Sequence, residues 1–135
     1  MLKLKIITPK KIVHEEDVKS VTLPSSEGEL TILPRHTHLF CLLQEGILTY
    51  RGDGKDDYLA IGGGYMETDG EEVRILVSRA YGQDEIDEKI TQEAIAKAQK
   101  LLAETKDLSQ RREATALIRK SLVDMRLIKR RKRSL

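Results

Sequence analysis

The chain has 135 residues, a formal net charge of +2 and 39% hydrophobic residues, with one Phe and no Trp, enough for one modest core of Ile, Leu and Val plus an appendage. No apolar run approaches the roughly 20 residues of a membrane-spanning helix, and the first residues lack the basic-then-apolar order of a secretory signal. The single cysteine, Cys41, rules out an internal disulfide. A soluble, intracellular protein is expected, with Cys41 buried as a small apolar side chain. Charge is unevenly spread: residues 1–83 carry 10 basic and 13 acidic side chains, residues 108–135 carry 10 basic and 2 acidic. The two ends suit different partners.

Leu2-Lys3-Leu4-Lys5-Ile6 alternates with period two, the pattern of a half-buried strand. Pro9 and the lysines after it turn the chain into a short strand around Ile12-Val13, and the acidic trio Glu15-Glu16-Asp17 reads as a solvated loop. Val18 to Leu23 forms the next strand, and Pro24 to Gly28 turns it. Leu30 and Ile32 share one face of a strand that Pro34 ends, because proline cannot donate the next ladder hydrogen bond. His36 and His38 sit in a polar break before the apolar run Leu39 to Leu43. Two histidines fall short of the three or four donors a metal site needs, and the chain has only His14, Cys41 and scattered carboxylates to add. No metal is expected; a surface histidine, or one bonded to neighbouring backbone, is the simpler reading.

Asp53-Gly54 lies between the runs Ile47 to Tyr50 and Tyr58 to Ile61. It is a strong hairpin signal, because Asp-Gly tolerates the positive backbone angles of tight turns. Asp69-Gly70 repeats the signal between Tyr65 to Thr68 and Val73 to Val77. Gly62-Gly63-Gly64 leads into Tyr65-Met66 and not into a helix bearing Lys-Ser or Lys-Thr, which argues against a phosphate cradle. A bulge, or a close approach of two backbones, is expected there. From Asp84 onward Gly and Pro vanish, and Glu, Lys, Gln, Ala and Leu dominate. Asp87 is the expected N-cap of a first helix with an apolar stripe of Ile90, Ala94, Ala98 and Leu101, widened by Ile95 and Leu102. Asp107 caps a second helix, with Gln110 reaching back to its backbone. That helix carries Ala114, Ile118, Leu122 and Met125, with Leu117, Leu127 and Ile128 beside them.

The fold class is therefore α+β: a flattened all-β sandwich of about ten short strands in two sheets over residues 1–83, then an antiparallel two-helix hairpin over 84–135. So few apolar side chains leave the hairpin marginal alone, so it needs a surface on the sandwich, on another chain, or on each in turn. Its basic end, Arg126 with Lys129, Arg130, Arg131, Lys132 and Arg133, admits three readings: a solvated end favoured by the macrodipole, a contact for an acidic partner, or attraction to nucleic acid or an anionic membrane. For nucleic acid there is no interleaved aromatic, zinc pattern or recognition motif.

Glu27-Gly28-Glu29-Leu30-Thr31-Ile32-Leu33-Pro34-Arg35-His36 resembles the signature of the epsilon subunit of the rotary F-type ATP synthase, bacterial type, with Thr31 where that family often has Gly and His38 where it usually has Pro. Ala60-Ile61-Gly62-Gly63-Gly64-Tyr65 is similar to the family's Ala-Val-Ser-Gly-Gly-Phe segment, and Ile86-Asp87 falls at the expected junction. The resemblance implies a non-catalytic central-stalk subunit of a proton- or sodium-translocating complex, peripheral on the cytoplasmic face of the bacterial plasma membrane. It implies a sandwich that binds the gamma subunit and the c-ring, around Glu29, Leu30, Ile32, Pro34, His36 and His38. It also implies mobile C-terminal helices that extend towards the alpha and beta subunits and inhibit ATP hydrolysis, with Arg126 and Lys129 to Arg133 meeting an acidic region of beta. Some bacterial members bind ATP through Ile/Leu-Asp-x-x-Arg-Ala. Here Ile90 and Thr91 replace the Arg-Ala, which leaves Asp87 and Arg119 as the only nucleotide candidates, and no cofactor is expected. No Ser-His-Asp order or activated cysteine argues for an enzyme. The alternative is a stand-alone β-domain binding module whose basic helical tail contacts nucleic acid or anionic membrane.

Overall fold

The computed structural model describes residues 1–134, with side chains described as far as Arg130. The chain divides between Gly82 and Gln83 into two compact units. The first holds ten strands: β1 (Leu2–Ile7), β2 (Ile12–Val18), β3 (Ser20–Ser25), β4 (Gly28–Ile32), β5 (Leu39–Leu43), β6 (Gly46–Arg51), β7 (Asp56–Ile61), β8 (Gly64–Thr68), β9 (Glu72–Val77) and β10 (Ala80–Tyr81). Two layers result, β10-β7-β6-β3 with β4 added beside β3, and β5-β8-β9-β1-β2, joined at one corner where Ser25 pairs with Leu43. Every pairing is antiparallel except β1 with β9. This is the expected sandwich, with its two sheets continuous at that corner.

Strand parity builds the core. Leu2, Leu4 and Ile6 of β1 are fully buried, and Val73, Ile75, Met66, Val21, Leu23, Ile32, Leu48 and Ile61 meet them from both layers. Each such side chain contributes about 1.5–3 kcal/mol by leaving water. Lys3 and Lys5 take the outer positions, and Lys3 Nζ lies 3.1 Å from Glu15. The acidic trio is not a loop: β2 runs through it, because pairing with β1 satisfies its backbone while its carboxylates stay exposed at the edge of the sheet.

The turns follow the glycines. Gly54 and Gly70 adopt positive φ, +80° and +92°. Asp69 Oδ1 accepts from the amides of Glu71 and Glu72, both at 2.9 Å, which closes the second hairpin. In the triple glycine, a Cβ on Gly64 would lie 1.9 Å from the Leu76 carbonyl oxygen, so this is the expected close approach of two backbones.

The second unit opens with a 3-10 turn, Gln83–Glu85, and continues as α1 (Glu88–Glu104) and α2 (Leu108–Ser134). Asp87 caps α1 as expected, accepting from the Ile90 amide at 3.0 Å. Asp107 caps α2 through the amides of Ser109 (2.8 Å) and Gln110 (3.2 Å). Gln110 does not reach back to Asp107, however; its side-chain oxygen accepts from the Thr105 hydroxyl at 2.6 Å. The inward stripe of α1 is Thr91, Ala94, Ile95, Ala98 and Leu102, and Ile90 is 63% exposed. In α2, Ser121 takes the buried place expected for Leu122, which is 50% exposed. Helical spacing allows either the third or the fourth residue after Ile118, and the smaller Ser121 turns inward.

Candidate partner-binding surfaces

The turn after β4 forms because three local choices agree. Parity sends Ile32 inward, where it is fully buried; its side chain serves the core and is removed from the expected partner-binding set. Leu30 points the same way and is half-buried against the core, while Glu29 stays exposed. The chain then leaves the ladder, exposing Leu33 and Pro34, and Arg35 adopts φ 67°, a left-handed conformation rare for a non-glycine residue. The turn is backed by the β8–β9 hairpin: the Arg35 amide donates to the Gly70 carbonyl at 2.9 Å, and a Cβ on Gly70 would lie 2.6 Å from the His36 carbonyl oxygen. His36 is half-buried with Nδ1 2.8 Å from the Thr37 carbonyl oxygen, and His38 is exposed.

The surface therefore presents Glu29, Leu33, Pro34 and His38, and beyond them Phe40 and Leu42, each 59% exposed. The last two and Leu33 were missed by reasoning from the sequence, although the alternation of Leu39 to Leu43 contains the signal. Cys41 is partly buried against the core, and burial raises its thiol pKa, which keeps it the inert, protonated form. Among the described residues no group of three or more His, Cys, Asp or Glu is placed to hold a metal ion.

The second surface lies on α2. Arg112, Arg119 and Arg126 are exposed and recur every seven residues, so they share one face about 10 Å apart. Lys129 and Arg130 extend the same positive end, while the side chains of Arg131, Lys132 and Arg133 lie outside the described residues. Arg119, Arg111 and Arg112 line a shallow groove with Leu108, Thr115 and Ala116. The Arg111 guanidinium is already engaged, donating to the carbonyls of Leu102 (2.6 Å) and Thr105 (3.1 Å). Asp87 spends its carboxylate on the α1 cap, and no hydrogen bond or ion pair among the described residues joins it to Arg119. No helix of the described residues is long and apolar enough to cross a membrane.

A ten-stranded sandwich continued by a hairpin of helices with a cationic face defines the class of protein. The sequence profile of the family described as "ATP synthase, Delta/Epsilon chain, beta-sandwich domain" matches residues 1–83. The ATP synthase epsilon chain of Carboxydothermus hydrogenoformans is 39% identical over 102 residues, 76% of each chain. That of Herpetosiphon aurantiacus is 34% identical over 128 residues, 95% of this chain and 94% of its own. The chain belongs to the family of ATP synthase epsilon chains. A chain of the Euglena gracilis mitochondrial ATP synthase, solved with OSCP, F1 and the c-ring, shares the fold with a TM-score of 0.79 at 24% identity, covering 87% of this chain and 75% of that one.

Proposed function

We propose that the chain is the epsilon subunit of a rotary ATP synthase, a non-catalytic part of the central stalk. The observation that carries this reading is identity to epsilon chains along nearly the full length, 34% over 95% of the chain. On this reading the sandwich holds the gamma subunit and the c-ring through the turn after β4, where Leu33, Pro34 and His38 are exposed on a backbone braced by Gly70. The complex associates peripherally with the cytoplasmic face of the membrane. The helical unit inhibits ATP hydrolysis by leaving its resting position and extending towards the alpha and beta subunits. Its single face of Arg112, Arg119 and Arg126 suits an acidic partner. No cofactor is needed, since Ile90 and Thr91 stand where ATP-binding relatives carry Arg-Ala and Asp87 is occupied as a cap.

Deleting residues 129–135 tests the electrostatic part of the reading. The truncated chain is expected to assemble with an alpha-beta-gamma complex and to inhibit hydrolysis less than the full chain. Equal inhibition by both would refute a role for the basic end.

A further inference from the structure

We propose that the free edge of β5 receives an extended segment of a partner protein as an additional strand. On one side β5 pairs with β8 along its whole length, but on the other it meets β3 only at Leu43. The Ser26 amide donates to the Leu42 carbonyl at 3.0 Å on this second side. In a strand, the N–H and C=O of one residue point the same way and residues two apart share a direction. The Phe40 N–H and C=O and the Leu42 N–H therefore face the open side too. No hydrogen bond among the described residues reaches these three groups.

Exposed edges in stable proteins are blunted by charge, proline or shortness, and the other edges here obey the rule. β2 carries Glu15, Glu16 and Asp17, β10 is two residues long, and β4 carries Glu29 and runs out at Pro34. β5 reads Leu39-Phe40-Cys41-Leu42-Leu43, with neither charge nor proline. An edge left unprotected in this way is a template for another strand.

A cleft of about 490 Å3 runs along the edge, with half-buried Leu30, Leu39 and Cys41 on its inner wall and Glu27 and Glu29 on its rim. The occupant is accordingly four or five residues in extended conformation, with alternate side chains apolar to cover the inner wall and a Lys or Arg directed at the two glutamates. Phe40, packed against Tyr65 with ring centroids 5.2 Å apart and the rings tilted by 33°, forms the outer shelf.

The inference rests on the rotor reading only for its first probe, an alpha-beta-gamma complex lacking this chain. Backbone amide exchange is measured on the full chain alone and bound to that complex. At least about tenfold slower exchange at Phe40 and Leu42 is expected. Phe40→Pro, which removes the outward N–H, and Phe40→Lys, which keeps it but adds an edge charge, are each expected to weaken binding about tenfold or more. Phe40→Lys and the exchange data remain decisive where the proline variant fails to fold. Binding that leaves both amides unprotected overturns the proposal. If the complex does not bind at all, the rotor reading fails, and a heptapeptide of alternating Val and Thr flanked by lysines becomes the probe. Protection of the same two amides then sustains the edge proposal, and unchanged exchange overturns it.

Discussion

Replacing Gly64 by alanine would place a methyl group where β8 and β9 meet backbone to backbone. The added Cβ would lie 1.9 Å from the Leu76 carbonyl oxygen and 2.8 Å from Val77 Cα. Both obstacles are main-chain atoms of a strand held in register from Gly64–Val77 to Thr68–Val73, so no side-chain rotation relieves the clash. The strands must separate by more than about 1 Å to regain ordinary contact. That distorts the ladder beside fully buried Met66 and Ile75. Overpacking of this kind costs about 1–3 kcal/mol, or a fall of about 4–24 °C in Tm for a unit of this size. Gly63→Ala is the control, since its nearest neighbour, the Leu43 carbonyl oxygen, would lie at 3.6 Å, an ordinary contact; its expected effect is below about 1 kcal/mol. The assay is urea and thermal unfolding of the full chain followed by circular dichroism. Equal midpoints for the two variants would refute the assignment of Gly64 to a steric role.

Three further outcomes follow from the same geometry. Ile6→Ala removes a fully buried side chain from the centre of the sandwich and is expected to cost about 2–5 kcal/mol in denaturant titration. Asp107→Ala leaves the Ser109 and Gln110 amides without their acceptor; about 1 kcal/mol of helix stability is expected to go, read as lost helical signal with the sheet signal unchanged. Asp69, Asp56 and Glu15 have carboxyl pKa values held low, by the amides of Glu72 and Glu71, by the Arg51 guanidinium and by Lys3 respectively. A depressed folded-state pKa stabilises the fold above the unfolded value, and that stability is lost as pH falls through the folded value. The urea midpoint should therefore decline as pH falls from the ordinary carboxylate range down through these depressed values, and Asp69→Asn should make the decline shallower. A midpoint that rises on acidification would contradict the assignment.

Alternation and Asp-Gly turns made most of the sandwich legible in advance, because period two is a local property and the core reads it directly. What escaped depended on partners distant in sequence. β2 extends through three carboxylates only because β1 supplies its ladder, and β10 exists only because Ala80 and Tyr81 meet Ile61 and Ala60. The helical caps were half legible: Asp87 and Asp107 act locally, whereas the Thr105 to Gln110 bond and the Arg111 bridge to the end of α1 need the folded hairpin. At the candidate surface, the Leu30–His36 segment stood out in the sequence. The segment alone did not reveal that parity buries Ile32, or that Leu33, Phe40 and Leu42 form the exposed apolar part.

The central claim is that this chain is a rotor subunit that restrains hydrolysis. Mixing the purified chain with a homologous alpha-beta-gamma complex lacking epsilon, then measuring co-elution and ATP hydrolysis on the same sample, tests it most directly. Co-elution with reduced hydrolysis is the expected result. Absence of association with a competent complex would contradict the claim.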